Sequence, residues 1–264
     1  MMNAIMMNAM IMNAMTTVAA FALALVAGAQ FPPMPGGPAR FSDFHEDLKR
    51  RDVAVVFGTL SSLKEGKKER MKPEDGGLGE GGAQVVISGV VFYKIRATGK
   101  IETAEAHCGP ATAGEKIPVA IDMQSATLPS GEKRRHLLSE GGRVELQEEE
   151  TVALFVVEKT PGKPGVIRRA TRFDVKTPED RAKAKDQAAD WYAINRAKLD
   201  LLMAIDEATT LRDRGDKPGA AAKLRAALDA KRTWRRLESD SDAAQALSPA
   251  RTRATELLTE LEKS

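Results

Sequence analysis

The hydrophobic period of this 264-residue chain changes once, near Thr177, and that change constrains its fold more than any other feature. Before it, β-branched and apolar runs follow one another with turn residues between them. After it, apolar residues return at three-, four- and seven-residue steps. A chain of strands without crossover helices favours an antiparallel sheet, closed or folded into a small barrel. A following helical period adds a separate layer, so the class expected is α+β.

The strand signals come in order. DVAVVFGTLSSL is β-branched and predicts a strand over about Val53 to Leu60. KEGKKERMKPEDGGLGEGGA, roughly residues 64–83, has the charge and glycine of an excursion between strands. QVVISGVVFYKIRA predicts a long second strand whose Gly89 marks a bulge or bend. EKIPVAIDMQ predicts a shorter one, and EKRRHLLSEGGRVELQ a short strand and turn. TVALFVVEKT is the most apolar run and is expected at the centre of the sheet, with GVIRRATRFDV as the last strand after a PGKPG turn. Ahead of them all, RFSDFHEDLKRR predicts a short helix over Arg40 to Arg51, capped by Ser42, with Phe41, Phe44 and Leu48 on one face.

The helical third opens on Thr177-Pro178-Glu179-Asp180, a capping residue, a proline at the first position and acids in the first turn. Trp191, Ile194, Leu201, Ile205 and Ala208 follow at helical spacing, with Gly215 as the stop. A second helix restarts at Asp216 to Pro218, carrying Leu224, Ala227, Leu228, Ala230, Trp234 and Leu237. A third starts at Ser248-Pro249. The expected architecture is a small antiparallel β-barrel over residues 41–176, followed by a helical hairpin and third helix over 177–264.

The N-terminus speaks to destination. Near-repeats of MNAMI lead into the apolar run Val18 to Val26, then Ala27-Gly28-Ala29 and Gln30. An apolar segment ending in an A-x-A site has the layout of a secretory signal peptide. Residues 1–29 read as that leader, cleaved near Ala29, and the proline-glycine run 30–40 as a linker. The methionines fall upstream of the cleavage site, so copper binding through thioethers is not expected of the mature chain. The single cysteine, Cys108, excludes an intrachain disulfide, and a net charge of +3 is too small to imply nucleic acid.

One family pattern fits the strand region. A short helix leads into Asp52-Val53-Ala54-Val55-Val56-Phe57-Gly58-Thr59, then a long strand with Val90, Phe92 and Ile95. Later, Glu149-Glu150-Thr151-Val152-Ala153-Leu154-Phe155 leads into the final strand. Over roughly Phe41 to Lys176 this resembles the bacterial relatives of the netrin-like, TIMP-like domain, an OB-type barrel. The family's lysine-glycine step after the second strand falls at Ala97-Thr98-Gly99-Lys100. The resemblance implies a secreted binding or scaffold module and transfers no functional residue. Separately, Leu211 to Asp216 with Ala220, Leu224, Ala227 and Leu228 resembles a tetratricopeptide turn. A lone repeat cannot bury its own apolar face, so a generic hairpin is the better reading.

Candidate chemistry is sparse. His107-Cys108 is the one place where two reactive side chains adjoin, and a thiol enzyme or hydrolase would need them to converge with a third group. Neighbours on a strand point to opposite faces, so a loop histidine beside an unpaired cysteine is expected instead. His45 and His136 read as surface residues and Glu148-Glu149-Glu150 as a solvated turn. The Gly76–Gly82 run lacks the lysine and helix of a phosphate loop. Lys231-Arg232-Thr233-Trp234-Arg235-Arg236 has the composition of a nucleic-acid or lipid contact, but its Trp falls in register with the hairpin core. No catalytic, cofactor or metal residue is assigned. The reading is an exported, non-enzymatic binding or scaffold protein of the bacterial envelope, periplasmic or secreted. Its expected partner is another envelope or extracellular protein, with no nucleic acid and no integral membrane span after cleavage. The alternatives are an enzyme using His107 and Cys108, or a nucleic-acid-binding OB-type barrel.

Overall fold

The computed structural model describes residues 41–71, 91–128, 130–140, 142–147, 150–229 and 241–263. The leader, the linker, Gly89, the glycine run at 76–82, Glu148, Glu149 and the 231–236 cluster with Ala230, Trp234 and Leu237 lie outside them. The fold is α+β: a seven-stranded mixed sheet and three C-terminal helices. The strands are β1 (Val53–Arg70), β2 (Val91–Cys108), β3 (Lys116–Thr127), β4 (Lys133–Ser139), β5 (Gly142–Leu146), β6 (Thr151–Glu158) and β7 (Gly165–Arg172). The helices are α1 (Pro178–Asp213), α2 (Lys217–Leu228) and α3 (Ser241–Lys263).

The sheet order is β2-β1-β6-β7-β3-β4-β5, and β2 also pairs with β3. Strands β1, β2, β3, β7 and β6 therefore form a ring, and the β4–β5 hairpin extends from β3. The expectation of an antiparallel sheet is corrected at one contact. Val119 and Ala120 of β3 pair in parallel with Gly165 and Val166 of β7, which makes the sheet mixed.

The apolar halves of β1 and β6 read as unbroken hydrophobic runs because both of their faces are buried. Val53, Val55 and Phe57, with Val152, Leu154 and Val156, face the helices. Ala54, Val56 and Leu60, with Ala153, Phe155 and Val157, face the ring interior, where they meet Ile101, Val119 and Met123. β6 is buried from Thr151 to Val157 between β1 and β7, as its composition predicts. Trp191 of α1 is 1 % exposed and stacks on Phe173 at 5.4 Å, so one apolar cluster joins the helical layer to the sheet.

Thr177 caps α1 as its sequence predicts: its hydroxyl accepts from the Asp180 N–H while the Asp180 carboxylate accepts from the Thr177 N–H. Gly215 ends the helix region at φ 85°, a conformation that favours glycine. Trp191, Ile194, Leu201, Ile205 and Ala208 are all buried.

Several boundaries differ from the sequence reading. β1 runs on through Arg70, so the first part of the 64–83 excursion is strand; both faces are exposed there, which lets charged residues occupy it. β2 runs on to Cys108, so Ala97-Thr98-Gly99-Lys100 is mid-strand rather than a step after it. The 133–146 region holds two strands. Among the described residues the expected Arg40–Arg51 helix reduces to one 3-10 turn, Asp47–Lys49, and the Phe44 N–H ahead of it donates to Asn195 Oδ1 at 2.6 Å. The last helix begins at Ser241 and contains Pro249 instead of starting there.

Candidate functional site

A bulge on β2 brings His107 and Cys108 against one partner. Val55 pairs with Cys108 and Val56 with Ala106, so His107 is an extra residue on β2. A bulge re-aims side chains that strict alternation would send to opposite faces. Both residues therefore meet Tyr192 of α1. The His107 ring stacks on the Tyr192 ring at 5.3 Å and 15°. The Cys108 thiol is hydrogen-bonded to the Tyr192 hydroxyl. This corrects the placement of His107 and Cys108 on a loop, and the expectation that neighbours here point apart. Gly109 follows at φ 81°, and a Cβ there would run into the Val53 carbonyl, which fixes how the chain leaves the strand.

The electrostatics of this seam disfavour a nucleophile. Burial pushes the Cys108 thiol above its ordinary value, outweighing the Val55 and Tyr192 hydrogen bonds and the more distant Arg196 that favour the thiolate. Burial also lowers the His107 imidazole, against the pull of Glu105 and with the help of Lys185. Burial raises Tyr192 likewise. All three are held neutral at pH 7. His107 Nε2 and Glu105 Oε2 are buried without a hydrogen-bond partner. Lys185 Nζ stands 3.5 Å from Glu105 Oε2, an ion pair that supplies it no hydrogen bond. A working thiol dyad needs the imidazole to take the thiol proton and a third group to orient the imidazole. Here the thiol is bonded to Tyr192.

A second bulge organises the strongest charge cluster, which sequence reasoning missed. Val156 pairs with Arg169 and Val157 with Ile167, leaving Arg168 as the extra residue of β7. Two adjacent arginines then grip one carboxylate. Arg168 Nε donates to Asp47 Oδ1 at 2.8 Å and Arg169 Nε to Asp47 Oδ2 at 2.7 Å. Asp47 is 4 % exposed. Arg168 also reaches Glu140 at 2.7 Å and Glu158 at 3.1 Å, and Arg50 joins Glu158 to Asp52. The sequence signal was the Arg168-Arg169 pair in an otherwise alternating strand.

This network is a latch. It fixes the 3-10 turn to β7, while buried Asn195 of α1 fixes the residues before it. Asn195 Nδ2 donates to the Ser42 carbonyl at 3.0 Å and to the Trp191 carbonyl at 2.9 Å. Lys198 Nζ reaches Asp43 at 2.5 Å, and Asp43 Oδ1 lies 2.6 Å from His45 Nδ1. His45 is thus tied into this packing. His136 lies on β4, where burial lowers its pKa against the pull of Glu145. Glu150 is exposed.

Among the described residues no cluster of three or more His, Cys, Asp or Glu side chains is placed to hold a metal. No described helix is long and apolar enough to cross a membrane. Comparison of the chain with protein-family models, with curated proteins and with solved structures found no match.

Proposed function

We propose that the chain is an exported, non-enzymatic binding or scaffold protein of the bacterial envelope, its ring an OB-like barrel related to the netrin-like, TIMP-like modules. The strand order supports the barrel reading. A five-stranded ring that closes through one parallel contact, β3 to β7, is compatible with the Greek-key closure of OB-type barrels. The layout of residues 1–29 supports export. The partner is another envelope or extracellular protein.

The observation that supports the non-enzymatic reading is the state of Cys108: half-buried against α1, hydrogen-bonded to Tyr192 and with its thiol pushed up by burial. Reactive cysteines sit in electropositive, accessible settings with a depressed pKa. Alkylation of the native protein by iodoacetamide across a pH series tests this. The expected result is a single slow reaction whose pKa lies above the ordinary free-thiol value of about 8.5, becoming fast on unfolding. Rapid alkylation at neutral pH, slowed by His107→Gln, would instead establish a working dyad and restore the enzyme reading.

A further inference from the structure

We propose that the outer face of the β1–β2–β3 sheet is a docking surface for an anionic lipid membrane. The face follows from the register. Lys100 of β2 lies opposite Ser61, Thr98 opposite Lys64, and Lys94 opposite Glu69 of β1. On the other side, Lys94, Arg96, Thr98, Lys100 and Glu102 lie opposite Gln124, Asp122, Ala120, Pro118 and Lys116 of β3. Directly opposed residues share a face. Apart from Ser61 and the buried Gln124, every one of these is exposed, while the alternate residues Ile95, Ala97 and Ile101 point into the core.

The carboxylates on this face are already occupied. Asp122 lies 3.8 Å from Arg96, Glu102 is 2.8 Å from Lys116, and Glu69 is 3.2 Å from Lys67. Lys64, Lys94 and Lys100 remain, with no carboxylate within ion-pair distance among the described residues, Lys100 acting only at longer range on Glu102. These three surplus ammonium groups surround a centre of small side chains, Thr98, Ala120 and Pro118. The platform is roughly 25 Å long and 10 Å wide at ordinary strand spacings.

The chemistry of the face selects its partner. Binding of single-stranded nucleic acid depends on aromatic rings that stack bases; the exposed residues of this face include none, and Phe92, beside Lys94 on the same side of β2, is half-buried. A protein partner depends on a desolvated apolar or aromatic centre. The large exposed hydrophobics among the described residues, Val166 and Met203, lie elsewhere, on β7 and α1. A membrane rich in anionic headgroups needs neither: it offers diffuse negative charge to an open cationic surface, worth about 1 kcal/mol per lysine or arginine near the membrane. The inference goes beyond the function proposed above and stands independently of export, since it concerns the purified chain.

The test is co-sedimentation of the full chain with vesicles of equal parts phosphatidylcholine and phosphatidylglycerol, against vesicles of phosphatidylcholine alone. The comparison variant is Lys64→Gln/Lys94→Gln/Lys100→Gln. Because these side chains are exposed and unpaired, its thermal melt should match the parent. The apolar leader contributes equally to both proteins and to both vesicles. The expected result is binding that requires phosphatidylglycerol, disappears at roughly 0.5 M salt, and weakens on the order of 100-fold in the triple variant. Equal binding by parent and variant would overturn the proposal and move the contact elsewhere, for instance to residues 231–236. Absence of phosphatidylglycerol-dependent binding at low salt would overturn it outright. Salt-sensitive retention on single-stranded DNA without vesicle binding would assign the face to nucleic acid instead.

Discussion

At the scale of single residues, the decisive events are two extra residues in strands. His107 and Arg168 each break the alternation of their strand, and each brings adjacent side chains onto one side. The first pair meets Tyr192 and becomes packing. The second pair meets Asp47 and becomes a latch. Asp47 accepts from two arginines in a setting almost closed to water, and removing one partner of such a group leaves the other charges uncompensated. Asp47→Asn is therefore expected to destabilise the fold by about 3 kcal/mol. Urea unfolding should show a lower midpoint at unchanged slope. His107 makes a pH-dependent contribution of definite sign. Its folded pKa is lowered, so the unfolded chain takes up the proton first as pH falls. The stability tied to its neutral form is full above the ordinary imidazole value near 6.5 and is lost as pH falls through the lower folded value. His107→Gln should flatten the fall in melting temperature below about pH 6.5, to which His136, also lowered by burial, contributes as well.

At the scale of elements, legibility followed burial. The runs Val53–Leu60 and Thr151–Val157 could be read from sequence because both faces of each are buried, which demands unbroken apolar residues. The far half of β1, Lys64 to Arg70, could not, because exposed faces on both sides leave no hydrophobic pattern to detect. The Thr177 cap and the Gly215 stop were legible because each is set by a local backbone requirement. The Asp47 latch and the Cys108–Tyr192 contact were not, since they join residues over 80 positions apart and depend on bulges that leave no mark in composition. The parallel closure of β3 on β7 was hidden for the same reason. The helical layer also has an energetic consequence. It covers Val53, Val55, Phe57, Leu154 and Val156, which would otherwise form an exposed apolar face. A fragment ending at Lys176 is expected to aggregate or bind a hydrophobic dye strongly, whereas the full chain does neither. A monomeric, cooperatively melting fragment would show that the sheet does not depend on the helices.

At the scale of the whole molecule, the ionisable groups divide into two kinds. Those in the interior, at Asp47, His107 and Cys108, are committed to packing sheet against turn and helix. Among the described residues, Lys64, Lys94 and Lys100 lie on an open sheet face without an ion pair. Such a distribution suits a protein that holds a position and presents a surface. Export is the premise on which the proposed setting rests. Expression in a bacterial host, fractionation and intact-mass measurement test it most directly. The account predicts a mature chain beginning at Gln30 and recovered outside the cytoplasm. A full-length chain recovered in the cytoplasm would contradict it.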